Sequence, residues 1–172
     1  MDSFSTTVKK WYALYTKPRH EFKAEVQLNS VSVENYLPTH TTLKQWSDRK
    51  KKVTSPLFRG YIFIHSDEKE RILAVEQTAV VRTVCFNGKP SAIPDWQIES
   101  LRKMLTETPD VVISDKIESG TKVKIINGPF RDVIGVVTGH QQERWLALSV
   151  DLLKRSVMVR LPKESVIKYI DQ

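Results

Sequence analysis

The stretch GTKVKIINGPFRDVIGVV, Gly120–Val137, decides the fold of the C-terminal third of the chain. β-Branched residues lie on both sides of Asn127-Gly128-Pro129, where glycine allows a positive φ and proline fixes the next φ near its turn value. Phe130 is left at the tip of this turn, and Gly135 permits a bulge or a close backbone approach as the second strand begins. The stretch predicts a strand, a loop and a strand, and an ordinary hairpin in another kind of small β domain is the alternative.

The residues after position 119 form five short β-type runs separated by short turns. The runs are Thr121–Ile126, Val133–Thr138, Trp145–Val150, Ser156–Leu161 and Ser165–Ile170. Five strands in about 50 residues are what a small closed barrel requires. The preceding segment, Thr106–Ser119, has four acidic residues and no consistent period, so it is interpreted as a linker, with Val111–Ile113 lightly docked.

The first hundred residues mix strand and helix signals. Strands are predicted at Lys10–Thr16, on both sides of a basic tip at Ser47–Lys52, at Arg59–His65 and at Val80–Phe86. Helices are predicted to begin at Pro18, after Asp67 and after Pro94, the second through a capping box of Asp67 with Glu70. The resulting order, strand, helix, hairpin, strand, helix, strand, helix, predicts an α+β sandwich.

Composition limits the classes of protein that the chain can represent. Its 172 residues fit one ordinary domain or two small ones. The single cysteine, Cys85, excludes an internal disulfide framework and favours a reducing compartment. The sequence has no apolar run near the roughly 20 residues that cross a bilayer, and its N-terminus lacks the apolar core of a signal peptide. We therefore expect a soluble, cytoplasmic protein without membrane contact.

The net charge of +7 is unevenly distributed along the chain. Residues 1–60 carry 11 Lys/Arg against 5 Asp/Glu, a balance of +6, whereas residues 61–118 carry 7 against 10, a balance of −3. Residues 119–172 carry 9 against 5, a balance of +4. Two basic regions around an acidic middle indicate a face for phosphate backbones, although a basic surface alone shows only solubility and nonspecific attraction.

Three motifs give the chain a resemblance to the bacterial NusG family, from about Lys10 to Tyr169. WYALYTKPRHE at Trp11–Glu21 and PLFRGYIFI at Pro56–Ile64 resemble the NGN domain, and Gly120–Val137 resembles a KOW motif. The resemblance implies a ferredoxin- or RRM-like NGN domain at 8–106, a linker at 107–118 and an SH3-like KOW barrel at 119–172. The segment Pro56–Ile64, together with NGKPSAIPDWQIESL at 87–101, is more similar to specialised RfaH-type and UpxY-type paralogs than to the general elongation factor.

The resemblance implies a non-catalytic partner of elongating RNA polymerase that suppresses pausing. In the family, the NGN domain sits on the clamp helices of the largest subunit, and its hydrophobic docking surface matches Tyr15, Phe58, Tyr61 and Phe63. The strand period of two independently places Tyr61 and Phe63 on one face, and aromatic anchors dominate interface energies. The alternative is that these rings are the core of the sheet, with Phe63 as the residue for which this is most plausible.

A basic cluster is expected to contact non-template DNA in the transcription bubble, as the matching region does in the family. It comprises Lys17, Arg19, His20 and Lys23, where the first strand meets the helix. Gln27 stands where specialised relatives read a DNA hairpin, and we include it as a contact without assigning sequence-specific readout. The second basic group, Arg49–Lys52, is interpreted as a solvated hairpin tip.

The KOW domain of the family binds ribosomal protein S10 and, in the general factor, the termination factor Rho. The resemblance assigns this contact to Ile126, Phe130 and Val133. Phe130 would act as an apolar side chain held at the turn tip, and the alternative is that it folds back over the barrel end. We expect a monomer that couples through this domain to the ribosome or to partners of the NusA or S10 type, with the general, Rho-recruiting factor as the alternative function.

An enzyme would need a convergent set of reactive groups, which the sequence does not offer. His20, His40, His65 and His140 stand in no metal-ligand spacing with Cys85, and no glycine-rich phosphate loop is present. We predict no catalytic residues, no cofactor and no metal. An RNA-binding or ribosome-associated KOW protein is the remaining rival. The aromatic strand of the NGN motif separates the two, because it predicts tight polymerase binding without RNA.

Overall fold

The computed structural model describes residues 8–140 and 143–170. These residues form two compact units. The first contains residues 8–38 and 56–94, and the second contains residues 39–55 and 95–170 apart from the gap at 141–142. The predicted domain bounds at 106 and 118 stay predictions. Residues 171–172 of the predicted barrel lie outside the described residues.

The described residues contain three α-helices, fifteen strands and one 3-10 turn. In chain order these are β1 Lys10–Thr16, α1 Glu21–Ser30, β2 Asn35–Tyr36, β3 Thr39–Gln45, β4 Lys50–Pro56, β5 Tyr61–Ser66, α2 Glu68–Val75, β6 Val80–Thr83, β7 Cys85–Phe86, β8 Lys89–Pro90, β9 Ala92–Ile93, α3 Asp95–Glu107, β10 Val112–Ser114, β11 Thr121–Asn127, β12 Ile134–His140, β13 Glu143–Val150, the 3-10 turn Asp151–Leu153, β14 Arg155–Arg160 and β15 Val166–Tyr169. No helix among the described residues is long and apolar enough to cross a membrane.

The first unit is an antiparallel sheet with helices packed against it. Its strands run in the order β2-β5-β1-β6, and β9 pairs with β1. Alternate residues of β1 and β5, among them Leu14, Ile62 and Ile64, form one core with Leu28 of α1 and Ala74 of α2. Each strand therefore presents its other face away from the helices, as the period of two requires.

Local signals explain where the helices of the first unit begin. The capping box of α2 is confirmed, because the Asp67 carboxylate accepts the Glu70 N–H at 2.8 Å and the Glu70 carboxylate accepts the Asp67 N–H at 3.1 Å. Helix α1 begins three residues later than predicted, at Glu21 instead of Pro18. The intervening residues form a turn in which the His20 N–H donates to the Lys17 carbonyl at 3.0 Å and Arg19 has a φ of 61°.

The second unit contains the six-stranded antiparallel sheet β10-β14-β13-β12-β11-β15. Its buried residues follow the period of two, for example Val123 and Ile125 on β11 and Leu146 and Leu148 on β13. The five predicted strands are confirmed to within two residues at each end, and the largest differences are the end of the second at His140 and the start of the third at Glu143. The predicted α+β class, with a helix-packed sheet and a small β-barrel, is confirmed.

Helix α3 packs against β12 and β13 of the same unit. Its Gln97 amide donates to the Asp151 carboxylate at 3.0 Å, and its Ser100 hydroxyl accepts the Ile134 N–H at 3.2 Å. Lys122 of β11 places its ammonium 5.1 Å from the centre of the Trp96 ring. Both polar contacts satisfy groups that burial would otherwise leave unpaired, so the helix is specifically seated on the sheet.

Glycine is needed once in the turn between β11 and β12 and once at the start of β12. Gly128 has a φ of 110°, which side chains rarely adopt. A Cβ at Gly135 would lie 2.7 Å from the Ala147 carbonyl oxygen of the neighbouring strand, so the close approach predicted there is confirmed. Asp132 also has a positive φ, 70°, and its N–H donates to the Ile125 carbonyl at 2.8 Å.

Three segments differ from their predicted form. Val80–Phe86 is two strands, because β7 leaves the sheet and pairs with β8 through the Asn87-Gly88 turn. The basic tip is shorter than expected, since Lys50–Lys52 belong to β4 and only 46–49 form the reversal. Within the predicted linker, β10 pairs with β14, which is a firmer attachment than light docking.

Candidate functional site

Three side chains meet at one end of the first sheet, and we call them the tyrosine patch. Tyr15 of β1 pairs with Tyr61 of β5 on one side and with Arg82 of β6 on the other. The two phenol rings lie 4.9 Å apart at an angle of 41°, and the Arg82 guanidinium carbon lies 5.2 Å from the Tyr15 ring centre. Both tyrosines are half-buried and Arg82 is exposed. The patch thus offers a partner aromatic surface with a fixed positive charge.

The two phenylalanines predicted to share this surface are in the core. Phe58 is 1% exposed and Phe63 is fully buried, with their rings edge to face at 6.0 Å. Tyr36 of β2 also stacks on Phe63, with ring centres 6.4 Å apart. The expected direct contact of Phe58 and Phe63 with a partner is therefore wrong for this packing. A benzyl ring has no polar group to keep in water, and burial of the whole ring is favourable.

The structure reveals one positioning residue that sequence reasoning missed. Glu21, the first residue of α1, is 6% exposed, and its carboxylate accepts the Gly60 N–H at 2.7 Å. Gly60 has a φ of 82° and its carbonyl accepts the Thr16 N–H at 2.9 Å. Glu21 thereby fixes the bend that leads into Tyr61. An acid directly after a basic turn was the only sequence signal for this role.

The predicted DNA-contacting cluster lies beside this bend. Lys17, Arg19 and Lys23 are exposed, whereas His20 is half-buried and its Nδ1 lies 2.8 Å from the Pro18 carbonyl oxygen. The Lys17 N–H donates to the Ala79 carbonyl at 2.9 Å, which holds the start of the turn against the first sheet. The structure therefore brings these cations together on one turn and the first helical turn that follows.

Gln27 is already used within the fold. Its amide nitrogen donates to the Thr78 hydroxyl at 2.7 Å, and its amide oxygen accepts the Ala79 N–H at 2.9 Å. Both ends of the side chain thus tie α1 to the loop before β6. A contact of Gln27 with nucleic acid stays a prediction, and it would have to use the second amide N–H or the second lone pair of the amide oxygen.

The predicted partner site of the second unit is largely inside the sheet. Phe130 is 4% exposed and Val133 is fully buried, whereas Ile126 is 42% exposed. Phe130 does not project from the turn tip, and the alternative that it folds back is the correct one. It still forms part of the wall of an open cleft of about 690 Å³, which Trp145 and Pro162 also line. Only Ile126 of the three is freely accessible to a large partner.

Charged side chains occupy the outside of this turn instead. The Asp132 carboxylate lies 3.3 Å from the Lys124 ammonium and 3.6 Å from that of Lys103 on α3. The hydrogen bond from Lys124 lowers the pKa of Asp132 below its ordinary value, and the charges of Lys103 and Arg131 act in the same direction. The pairs are solvent-exposed, so each contributes little to stability. They give the turn a mixed, mainly positive surface.

Across residues 8–140 and 143–170, no three His, Cys, Asp or Glu side chains are grouped so that they could hold a metal ion. Cys85 is exposed and its thiol lies 3.5 Å from the Thr83 carbonyl oxygen.

An antiparallel sheet with helices packed against it and a half-buried pair of tyrosines, followed by a small six-stranded sheet, defines a two-unit α+β protein. Residues 9–102 match the family model described as "Transcription termination factor nusG", which spans more than half of the chain. The chain belongs to the NusG family, and it is a transcription factor of that type.

Full-length relatives show how far this similarity extends. The transcription termination/antitermination protein NusG of Pasteurella multocida is 24% identical, over 95% of this chain and 97% of its own. The NusG protein of Thermus thermophilus is 26% identical, and the match covers 92% of this chain and 98% of that protein. A solved structure titled "Domain interaction in Thermotoga maritima NusG" is similar at 22% identity and a TM-score of 0.47. The match covers 89% of this chain and 93% of the chain in that structure.

Proposed function

We propose that the protein is an elongation and antitermination factor that binds the clamp helices of RNA polymerase through the tyrosine patch and suppresses pausing. The observation that carries this proposal is the arrangement of half-buried Tyr15 and Tyr61, with ring centres 4.9 Å apart, beside the exposed Arg82 on one sheet. Tyrosine and arginine are the residue types that most often dominate binding energy at protein interfaces. Membership of the family supports RNA polymerase as the partner.

The construction of the patch supports a docking role. The backbone of Tyr15 and Tyr61 is held in an antiparallel ladder, and Glu21 fixes the bend before Tyr61. Side chains held in this way lose little conformational freedom when a partner binds. Phe58 and Phe63 lie in the core of the same unit, so in this proposal they support the patch from within and do not touch the polymerase.

We further propose that Lys17, Arg19 and Lys23 contact non-template DNA in the transcription bubble. These cations are exposed, and Lys17 follows Tyr15 by two residues. A partner docked on the patch would therefore bring its DNA close to them. Because surface cations contribute mainly nonspecific, salt-dependent affinity, the cluster is expected to act only within the elongation complex.

For the second unit we propose ribosomal protein S10 as the partner, reached through Ile126 and the cleft beside Phe130. A NusA-type partner is a second candidate for the same surface, and recruitment of Rho is the alternative that a general factor would require. The similarity of Pro56–Ile64 and 87–101 to specialised paralogs favours a monomeric, cytoplasmic factor that serves a few long operons.

Affinity for purified core polymerase tests the clamp contact. Tyr61→Ala and Tyr15→Ala should each weaken binding by roughly 1–3 kcal/mol, the usual scale for aromatic anchors. Phe86→Ala is the matched control, because Phe86 is an aromatic residue of the same unit that is 65% exposed and lies outside the patch. Wild-type affinity in both tyrosine variants, with unchanged melting, would remove the patch from the interface.

A transcription assay on an assembled bubble tests the DNA contact separately. Charge reversal at Lys17 and Arg19 should reduce pause suppression while leaving the affinity for polymerase unchanged. Charge reversal at Lys89, an exposed lysine of the same unit on β8, is the control. An unchanged pause profile in the Lys17/Arg19 variant contradicts the assignment.

Genome-wide occupancy separates a specialised factor, found on few operons, from a general factor found on nearly all transcripts.

A further inference from the structure

The strands β3 and β4 form a separate two-stranded sheet, which we call the basic hairpin. Its reversal is closed by the Trp46 N–H, which donates to the Arg49 carbonyl at 2.8 Å. Farther from the turn, the Thr41 and Thr54 hydroxyls meet at 2.9 Å across the strands. Every residue from 41 to 52 is exposed. A lone two-stranded ribbon is marginally stable in water, so a hairpin of this kind gains most from a bound partner.

One face of the basic hairpin combines an aromatic ring with positive charges. The Lys51 ammonium lies 5.9 Å from the centre of the Trp46 ring, so these two side chains share a face. Lys44 of β3 lies two residues before Trp46, and Arg49 stands opposite Trp46 across the reversal, where the backbone hydrogen bond joins the two residues. The Trp46 side chain is itself 58% exposed. The face therefore presents an indole with three cations around it.

The charges of this hairpin are not balanced by acids. Asp48 is the one acidic residue between positions 39 and 56, against five Lys/Arg. Within the part of the chain that the structure describes, no ion pair within 4.0 Å involves any of these five cations. Like charges held on adjacent strand positions repel one another, and a polyanion removes that repulsion.

We propose that the basic hairpin binds a single strand of RNA, with Trp46 stacking on an unpaired base and Lys44, Arg49 and Lys51 contacting the flanking phosphates. Aromatic rings in a positively charged surface are how proteins hold single strands, because every base has a face on which a ring can stack. In a duplex the bases are already stacked on one another, so the exposed Trp46 indole would find no free base to stack on. An acidic protein surface would pair with the lysines and leave the ring unexplained.

The choice of RNA over single-stranded DNA rests on the proposed function. An elongation complex contains two single strands, the non-template DNA and the transcript, and the DNA strand is assigned above to Lys17, Arg19 and Lys23. The transcript is therefore the strand left for the basic hairpin. Binding of RNA by the isolated protein does not depend on polymerase contact, so the two proposals can fail separately.

Fluorescence anisotropy with the full chain tests the proposal. The probes are a labelled 12-nucleotide oligouridylate, an oligothymidylate of equal length and a 12-base-pair RNA duplex. We expect the RNA single strand to bind best, and Trp46→Ala to weaken that binding by roughly ten-fold or more, the scale of one lost base stack. Trp46→Phe should retain most of the affinity. Replacement of Lys44, Arg49 and Lys51 by Gln should make the negative slope of log affinity against log salt concentration shallower by about 2.

Two matched controls separate this site from general attraction to a basic protein. Phe86→Ala removes an aromatic residue that is 65% exposed on another two-stranded hairpin, and Lys69→Gln removes an exposed lysine of α2. Neither should change RNA affinity by more than about two-fold, and Tyr61→Ala should leave it unchanged.

Several results would overturn the proposal. Equal RNA binding by Trp46→Ala and the wild type excludes stacking, and a preference for the duplex makes the hairpin a groove-binding ribbon. A preference for oligothymidylate reverses the assignment of strands. If no probe binds and Trp46→Ala instead lowers polymerase affinity, the hairpin is a protein contact.

Discussion

The tyrosine patch and the turn between β11 and β12 are both places where sequence predicts aromatic binding residues near a chain reversal, and their side chains take opposite positions. In the patch, Tyr15 and Tyr61 remain half-exposed beside Arg82. At the turn, Phe130 is buried and the charged Asp132 remains outside. A phenol keeps its hydroxyl near water, whereas a benzyl ring loses nothing polar on burial. Nearness to a turn is thus a poorer guide to exposure than the chemistry of the side chain.

The largest effect is expected below the tyrosine patch. Phe58→Ala should lower the free energy of unfolding by about 3–5 kcal/mol, because it leaves a cavity beside Phe63 in a packed core. Urea unfolding followed by circular dichroism measures this change, with Phe86→Ala as the exposed control. A loss below about 1 kcal/mol would mean that Phe58 is not held in the core.

The corresponding change at the turn should be somewhat smaller. Phe130→Ala should cost about 2–4 kcal/mol, since the ring is buried but forms part of the wall of an open cleft. Ile126→Ala, at a residue 42% exposed, should cost less than about 1 kcal/mol. The same unfolding experiment compares the two. If Ile126→Ala proved the more damaging, the assignment of inside and outside at this turn would be reversed.

Within the patch itself, substitution should leave stability almost unchanged. Tyr61→Ala removes a half-buried ring at the end of the sheet, and we expect a change within about 1 kcal/mol in the free energy of unfolding. Combined with a loss of polymerase affinity, this result would place Tyr61 at an interface. A loss as large as that of Phe58→Ala would instead make it a core residue and end the contrast between the two regions.

The smallest effect concerns the charges outside the turn. Lys124 lowers the pKa of Asp132, so the ionised carboxyl stabilises the folded state above its ordinary pKa of 3.8, and this contribution is lost as pH falls through the lower folded pKa. Asp132→Asn should therefore be slightly less stable than the wild type at pH 7 and equal to it in strong acid. Asn tolerates the positive φ of 70° at this position, so the substitution should leave the backbone conformation unchanged. Thermal unfolding midpoints of the variant and the wild type, measured from pH 7 down to strong acid, test this expectation. A difference that persists in acid would point to a cause other than charge.

Local signals accounted for most of the fold. Lys10–Thr16 is a strand with the predicted bounds, and the Asp67 capping box is present, because each depends on residues close together in sequence. The burial and the hydrogen-bond partners of individual side chains were harder to predict from the sequence. The depth of Phe63 and the double hydrogen bond of Gln27 depend on segments up to 52 residues away, which no local pattern encodes. The pairing of β10 with β14 is nonlocal in the same sense.

The attachment of β10 to β14 sets the length of a tether. Glu107 ends α3 and Val112 begins β10, so four residues, 108–111, connect them. Fully extended, this connection allows at most roughly 17 Å between the Cα atoms of Glu107 and Val112. A free linker over the predicted 107–118 would allow roughly 45 Å between the Cα atoms of residues 106 and 119, between two and three times that reach. As long as β10 stays paired, α3 can leave the barrel only by that short distance, and lengthening the tether with inserted glycines would be the direct way to change it.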